Sequence, residues 1–412
     1  MKLAGNGAEW SDVLIAGGGH VGLTLALALA QAAPRLVVSL VDPTPPEVAA
    51  RDGRASAIAA AGRRMLDQLG VWAKIAGAAQ PITDMIVTDS RTKDAVRPVF
   101  LTFAGTAESG EPFAHMVENK AMVGALRQAA EAAGVKLIAP DAVVDFVPAG
   151  GAVRARLSSG GTLEARLLVA ADGVKSKLRG LAGIGTVEWA YGQAGIVATV
   201  AHEKPHHGRA EEHFLPAGPF AILPLIGNRS SLVWTERSAA AERLVSGDAD
   251  TFQRELEHRF GHHLGKIETV GDRRAFPLGL TLARSFVKPR FALAGDAAHG
   301  IHPIAGQGLN LGFRDVAALA ETIVEAERNG LDIGSLGVLE GYERWRRFDT
   351  FEMGVVTDLL NRLFSNDNPA IRLFRDIGLG LVDRLPMAKR LFMREAAGQD
   401  GALPRLLRGE AI

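Results

Sequence analysis

Leu293-Ala294-Gly295-Asp296-Ala297-Ala298-His299-Gly300-Ile301-His302-Pro303-Ile304-Ala305-Gly306-Gln307-Gly308-Leu309-Asn310 reads, in order, as the end of a buried strand, a carboxylate, a loop rich in proline and glycine, and the start of a helix. A strand over 290–294 that ends on Gly295-Asp296 delivers one carboxylate into a cleft, where it accepts hydrogen bonds from a polyol. Beyond it, Gly306 and Gly308 let backbone approach a flat ring, and Asn310 reads as the opening of a helix through Leu311, Val316, Leu319 and Ala320. The unpaired N–H groups and positive dipole end of such a helix favour a nearby anion. A reduced flavin is an anion with a polyol chain, so the stretch has the order of a flavin site.

A second nucleotide-binding pattern opens the chain. Asp12-Val13-Leu14-Ile15-Ala16 is a short apolar strand, followed at once by Gly17-Gly18-Gly19-His20-Val21-Gly22, a G-x-G-x-x-G, and by an apolar helical run over 23–31. Residues 36–41 predict the next strand, which ends on Asp42, about twenty residues past Gly22, where an acid holds a pair of ribose hydroxyls. A glycine-rich turn alone is often only a tight connection. The strand before it, the helix after it and the acid at that distance together select dinucleotide binding. A third run, Leu167-Leu168-Val169-Ala170-Ala171, leads into Asp172-Gly173-Val174-Lys175-Ser176-Lys177-Leu178-Arg179, which reads equally as a strand-to-helix turn capped by Asp172 or as a further cofactor loop.

Taken together, the three motifs resemble the aromatic-hydroxylase group of flavoprotein monooxygenases, with its N-terminal G-x-G-x-x-G, central D-G-x-x-S-x-x-R and late G-D-A-A-H-x-x-x-P-x-x-G-x-G-x-N. Within that group the chain is similar to the ubiquinone-biosynthesis hydroxylases. The similarity is carried by Gly18-Gly19-His20-Val21-Gly22-Leu23, by His302-Pro303-Ile304-Ala305-Gly306-Gln307-Gly308-Leu309-Asn310-Leu311-Gly312-Phe313-Arg314-Asp315-Val316, and by the tail Phe364-Ser365-Asn366-Asp367-Asn368-Pro369 with Phe392-Met393-Arg394-Glu395. It implies an α/β fold: a Rossmann-like FAD-binding domain (1–78, 112–184 and 286–340), an interleaved, mostly antiparallel β-sheet substrate domain (79–111 and 185–285) and a C-terminal helical region (341–412). It also implies bound FAD, NAD(P)H as a transient co-substrate, and oxygen transfer from O2 to the aromatic ring of a prenylated phenol, with other ubiquinone-biosynthesis enzymes as candidate partners.

Residue by residue, the resemblance gives Gly17, Gly19 and Gly22, with His20 and Val21 between them, to the FAD pyrophosphate. Asp42 goes to the adenosine ribose, Arg54 to the nucleotide phosphates and Asp296 to the ribityl chain. Asp172 goes to both FAD and the nicotinamide, and Gly306, Gly308, Leu309 and Asn310 to the pyrimidine edge of the flavin. Pro303 matches a proline whose carbonyl faces the substrate ring. His302 beside it is a candidate proton relay, against a capping or packing role. Asn119 stands where many relatives place an arginine against the cofactor. No general base is named by the sequence.

Composition limits the alternatives. With 412 residues, 47% hydrophobic and 22% charged, the chain has the material for a large globular core. Its net charge of zero gives no argument for nucleic acid. The absence of cysteine excludes disulfides, thiolate nucleophiles and cysteine metal sites, so electrons must travel through a bound cofactor. His299 and His302, the pair His206-His207 and the pair His262-His263 have no acid at metal-ligand spacing, and no metal is expected. No apolar run reaches the length of a membrane span, and residues 1–10 lack a signal-peptide pattern, so a cytoplasmic location is expected. Ile371, Phe374, Ile377, Leu381 and Leu385 recur at helical spacing after Asn368-Pro369, and 362–394 holds seven Arg or Lys against three Asp. Two readings of that helix stand: a packed element with solvated arginines, or a peripheral contact with the inner face of a membrane. Two functions also stand beside prenylated-phenol hydroxylation: a flavin monooxygenase for a soluble aromatic or polyketide, and a non-catalytic flavin-binding organiser of a biosynthetic complex.

Overall fold

The apolar run that precedes Gly17 lies at the centre of a sheet in the computed structural model, which describes residues 9–89, 99–104, 110–302, 306–364 and 403–412. Strand Glu9–Ala16 pairs in parallel with Val38–Val41 on one side and Thr162–Ala170 on the other. Lys136–Ile138 and Phe291–Leu293 extend the parallel sheet beyond these two. Val13, Leu14 and Ile15 are wholly buried. That is why the run is continuously apolar, since a parallel strand is covered on both faces. Helix His20–Ala32 packs against helices Asn119–Ala132 and Gln307–Arg328. The strands Val143–Ala149 and Ala152–Leu157 form an antiparallel ribbon continuing from Thr162–Ala170, and Phe146 stacks on Phe291 with centroids 5.1 Å apart.

A second eight-stranded sheet is built around Thr186–His202, which pairs antiparallel with Arg229–Arg237 and Ile267–Ala283. All its pairings are antiparallel except that of Arg209–Leu215 with Asp84–Asp89. Alternation divides its residues between two faces. Ile196, Ala198, Val200, Phe220, Leu232 and Trp234 form a core with Phe252, Leu256 and Phe260 of helix Ala249–Phe260. Ala221 and Val233 point to the opposite face, toward the nucleotide half. A small sheet of Ala55–Ala59, Ala79–Ile82 and Ala114–Glu118 bridges the halves. The segment 79–111 therefore divides: Ala79–Ile82 joins this bridge, while Asp84–Asp89 and Val99–Ala104 join the large sheet.

Helix Leu336–Phe364 and the short helix Arg405–Arg408 belong to the C-terminal region. The amphipathic run expected at 371–385 lies outside the described residues. Among the described residues, no helix is long and apolar enough to cross a membrane.

Candidate active site

The glycines of the first motif have separate reasons. Gly17 has a left-handed φ of +116°, and a Cβ there would lie 2.2 Å from the Ala171 carbonyl oxygen, just before Asp172. A Cβ at Gly22 would lie 1.9 Å from the Gly17 carbonyl oxygen. Both positions are closed by the protein itself. A Cβ at Gly19, by contrast, would meet nothing within 4 Å, so this glycine faces open space at the start of helix His20–Ala32. The first intrahelical bond there is Leu23 N–H to Gly19 O, which leaves the N–H groups of His20, Val21 and Gly22 at the mouth of the helix. Asp42 accepts from the backbone N–H of Gly18 and, through Oδ1, from that of Thr44 at 2.6 Å. Burial holds His20 down to about 4, and its Nε2 has no hydrogen-bond partner among the described residues.

The late motif is fastened to the first. A Cβ at Gly295 or at Gly312 would lie 2.9 or 2.7 Å from Val21 Cγ2, and one at Gly300 would lie 2.4 Å from Val174 Cγ2, in the loop after Asp172. Arg179 donates to the carbonyls of Ala297 (2.8 Å) and Val174 (3.0 Å), tying the central motif to the late one. Ser176 is the N-cap of helix Lys177–Leu181, accepting from Arg179 N–H at 3.0 Å, and Asp172 accepts from Leu178 N–H at a longer 3.5 Å. Asp172 itself is exposed.

The expectation that Asn310 opens the late helix is corrected by the backbone. The helix begins at Gln307, with Gly306 as its N-cap at φ +65°, a conformation glycine adopts without strain. Asn310 lies in the first turn, and its amide holds the bridge sheet: Oδ1 accepts from Ala59 N–H at 2.9 Å, and Nδ2 donates to Ala57 O at 3.0 Å and Gly306 O at 3.1 Å. A Cβ at Gly308 would again meet nothing within 4 Å.

Below the Gly295-Asp296 turn lies a buried network that sequence reading missed. Asp315 accepts from Arg346 Nε at 2.9 Å and from Gly295 N–H at 2.9 Å, and lies 2.5 Å from His299 Nε2. Arg346 also donates to Asp349 at 2.8 Å. Burial alone would raise the Asp315 carboxyl, but His299 and Arg346 outweigh it and hold it below the usual range. Nothing in the local pattern marks this cluster, because its members come from a loop and two helices.

The Arg54 side chain is paired with Asp52 through hydrogen bonds of 2.9 and 3.2 Å from Nε and 2.8 Å from Nη2. Partial burial works to raise Asp52, but the Arg54 bonds prevail and bring it down to about 2. Asn119 stands behind this pair, donating to Asp52 at 3.2 Å and accepting from Ser56 Oγ at 2.8 Å. It is buried and off the cavity wall, so it reaches the site through the Asp52–Arg54 pair.

Arg54, the central loop at Val174, Lys175 and Arg179, Asp296 and residues 306–310 meet around a cavity of about 930 Å³. Its nucleotide-side wall is Arg54, Asp296 and residues 306–310; its other wall is the inner face of the large sheet. Asp296 is exposed to it. His302 is wholly buried, edge-on to Tyr191 at 5.5 Å, and burial holds it down to about 4. It is thus neutral at pH 7 and makes no hydrogen bond among the described residues, an arrangement that suits packing better than proton relay. Pro303 lies outside the described residues. Among the described residues no three histidine, aspartate or glutamate side chains form a metal cluster.

An FAD fits what is present: among the described residues, two helix N-termini face space left open at Gly19 and Gly308, a buried acid, Asp42, is held against Gly18, and a carboxylate, Asp296, stands at the cavity. This combination of a Rossmann-like half with a sheet-roofed cavity defines the FAD-dependent monooxygenases of the aromatic-hydroxylase type. Residues 10–347 match the family described as FAD binding domain, and the chain belongs to it, within the ubiquinone-hydroxylase group of FAD-dependent monooxygenases. It is 48% identical to the ubiquinone hydroxylase UbiL of Rhodospirillum rubrum over 99% of this chain and 95% of the relative. It is 36% identical to the 3-demethoxyubiquinol 3-hydroxylase of Escherichia coli over 94% of this chain and 98% of the relative. Among solved structures, p-nitrophenol 4-monooxygenase PnpA of Pseudomonas putida superposes with a TM-score of 0.79 at 20% identity, covering 95% of this chain and 99% of the other, which shows a shared fold.

Proposed function

We propose that the protein hydroxylates the aromatic ring of a prenylated phenol on the route to ubiquinone, consuming NAD(P)H and O2. The observation that carries this reading is the two-sided cavity: cofactor-binding loops on one wall, and on the other the apolar residues Met85, Ala210, Ala221, Leu223 and Val233. The names of the relatives supply the quinone precursor. Bound FAD, reduced by NAD(P)H, supplies an activated oxygen atom from O2. The chain's own residues bind and orient. The N–H groups of residues 20–22 and Arg54 would hold the phosphates, Asp42 the ribose, and Asp296 the ribityl hydroxyls. The unpaired N–H groups at the start of helix Gln307–Arg328, on the cavity wall, would favour negative charge on a flavin ring held beside them. The apolar sheet face excludes water, which favours transfer of oxygen to the substrate over its loss as hydrogen peroxide.

The long apolar tail of such a substrate resides in a membrane, and the basic, amphipathic composition of 362–394 supports a peripheral contact there. Purified holoenzyme given NAD(P)H, O2 and a short-chain prenylated phenol is expected to yield a product heavier by one oxygen atom. Oxidation of NAD(P)H to NAD(P)+ with O2 reduced only to hydrogen peroxide for every prenylated phenol, together with oxygenation of a soluble aromatic, would overturn the substrate assignment. Co-sedimentation with anionic vesicles tests the membrane contact, and charge reversal at Arg372, Arg375 and Arg384 is expected to abolish it without loss of FAD.

A further inference from the structure

The sheet wall of the cavity carries two ionisable groups among its described residues, Glu188, which is exposed, and Glu212, which is buried. Strand alternation puts Ala210 and Glu212 of Arg209–Leu215 on the cavity side, while Glu211 and His213 turn to the other face, where Glu211 pairs with His213 and His263. Glu212 lies between Val87 and Ala221 in the register of the sheet, with Val233 next to Ala221. It is 5% exposed and makes no hydrogen bond or ion pair among the described residues. Burial, with no neighbouring charge to offset it, raises its carboxyl to about 7. Arg54, Lys175, Arg179 and Asp296 reach the same cavity from its other walls, and Glu188 from strand Thr186–His202 of the same sheet.

A carboxyl placed among alkyl side chains without a partner is costly, and a valine would serve the sheet better. Such a group answers to a polar atom that enters the cavity. The one polar function on the ring of a prenylated phenol is its hydroxyl.

We propose that Glu212 hydrogen-bonds the ring hydroxyl of the substrate and accepts its proton, acting as the general base of the hydroxylation; this rests on the ring-hydroxylase reading above. The phenol O–H bond breaks, a new O–H bond forms on a Glu212 carboxylate oxygen, and the electron pair left on the phenol oxygen enters the ring. Electron density rises at the ortho and para carbons, one of which receives the oxygen atom drawn from O2 with the reducing equivalents of NAD(P)H. The hydrogen on that carbon leaves as a proton to the second oxygen atom of O2, which departs as water with NAD(P)H oxidised to NAD(P)+, and the proton on Glu212 goes back to the phenolate oxygen, regenerating the carboxylate. Phenols ionise near 10, so a carboxyl held at about 7 is a far better matched base than one at the ordinary 4.5, while a good part of it remains ionised at neutral pH.

The test compares the FAD-loaded parent with Glu212→Gln and Glu212→Asp. The glutamine variant is expected to keep its FAD content and to lose coupled hydroxylation by about 10²–10⁴-fold, the usual weight of a general base, with NAD(P)H turnover diverted to peroxide. Hydroxylation by the parent should rise with pH through about 7. The variant should lack that limb and recover only at alkaline pH, where the phenol ionises unaided, and aspartate should restore part of the limb. A second readout needs no turnover: p-nitrophenol bound to the oxidised holoenzyme at pH 7, where Glu212 is about half ionised, should show more phenolate difference absorbance with the parent than with Glu212→Gln. Coupled hydroxylation by Glu212→Gln within about threefold of the parent, with the limb near pH 7 retained, overturns the assignment and leaves the ring-hydroxylase reading standing. A parent that hydroxylates no phenol overturns both.

Discussion

Replacing Asp315 by alanine removes the acceptor shared by Arg346, His299 and the Gly295 N–H. Asp315 and Arg346 are 0% and 2% exposed, so the guanidinium left behind has no water to turn to. Removing one partner of such a pair costs about 3–5 kcal/mol. At about 2.1 cal/mol/K of unfolding entropy per residue, a chain of this length unfolds with roughly 0.9 kcal/mol/K, so the thermal midpoint should fall by about 3–6 °C. Gly295 also loses the bond that sets the turn carrying Asp296, so FAD should dissociate faster on dilution. The assay is thermal unfolding of apo- and holoprotein with flavin release followed by fluorescence. The double variant Asp315→Leu with Arg346→Met, which removes both charges, should recover most of the loss. An Asp315→Ala midpoint within 1 °C of the parent, with unchanged flavin release, would refute the idea that this network holds the flavin loop.

Gly17→Ala should destabilise the apoprotein by at least 1–3 kcal/mol through its φ of +116° and its closeness to Ala171, whereas Gly19→Ala should leave apoprotein stability unchanged and weaken FAD retention; differential scanning and gel filtration separate the two. Asp296→Ala should weaken FAD binding by 1.5–3 kcal/mol, about ten- to a hundredfold, read by titration of the apoprotein. Acid should destabilise the fold through His20 and His302, each held by burial near 4 against about 6.5 in the unfolded chain. Their contribution is present above pH 6.5 and lost as pH falls toward 4, so the urea midpoint should drop over that interval, and His302→Phe should flatten part of the drop. Glu212 works in the opposite sense: its raised carboxyl contributes stability below pH 4.5 that is lost as pH rises through about 7, so Glu212→Gln should be the more stable protein at pH 8 and not at pH 4.5.

How far the sequence is legible depends on whether the reason for a residue is local. Val13 through Ala16 followed by Gly17 and Gly22 is a local statement, since strand, turn and helix start are neighbours in the chain. The FAD-dependent monooxygenase class followed from it together with the two later motifs. The helix start at Gln307 was misplaced by three residues because the pattern offers Asn310 as a cap, while the backbone uses the left-handed freedom of Gly306 and spends Asn310 on Ala57 and Ala59. Glu212 could not be picked out, because Glu211 and Glu212 are adjacent acids in one strand. Only the pairing register decides which of them faces the cavity and which faces two histidines. The Asp315 network was equally hidden, its partners being assembled by packing rather than spacing.

The parallel pairing of Glu9–Ala16 with Thr162–Ala170, and of that strand with Phe291–Leu293, also sets a schedule for the ribosome. The first strand leaves the exit tunnel early, yet its partner and the strand beyond are made much later, at about 5–20 residues per second, so the nascent sheet stays incomplete for roughly ten seconds to a minute. During that time Val13, Leu14 and Ile15, later wholly buried, are open to any apolar surface. Shelter of the growing chain by a chaperone, and the rate of translation over the first three hundred residues, should therefore govern the yield of this protein more strongly than the stability of the finished molecule does.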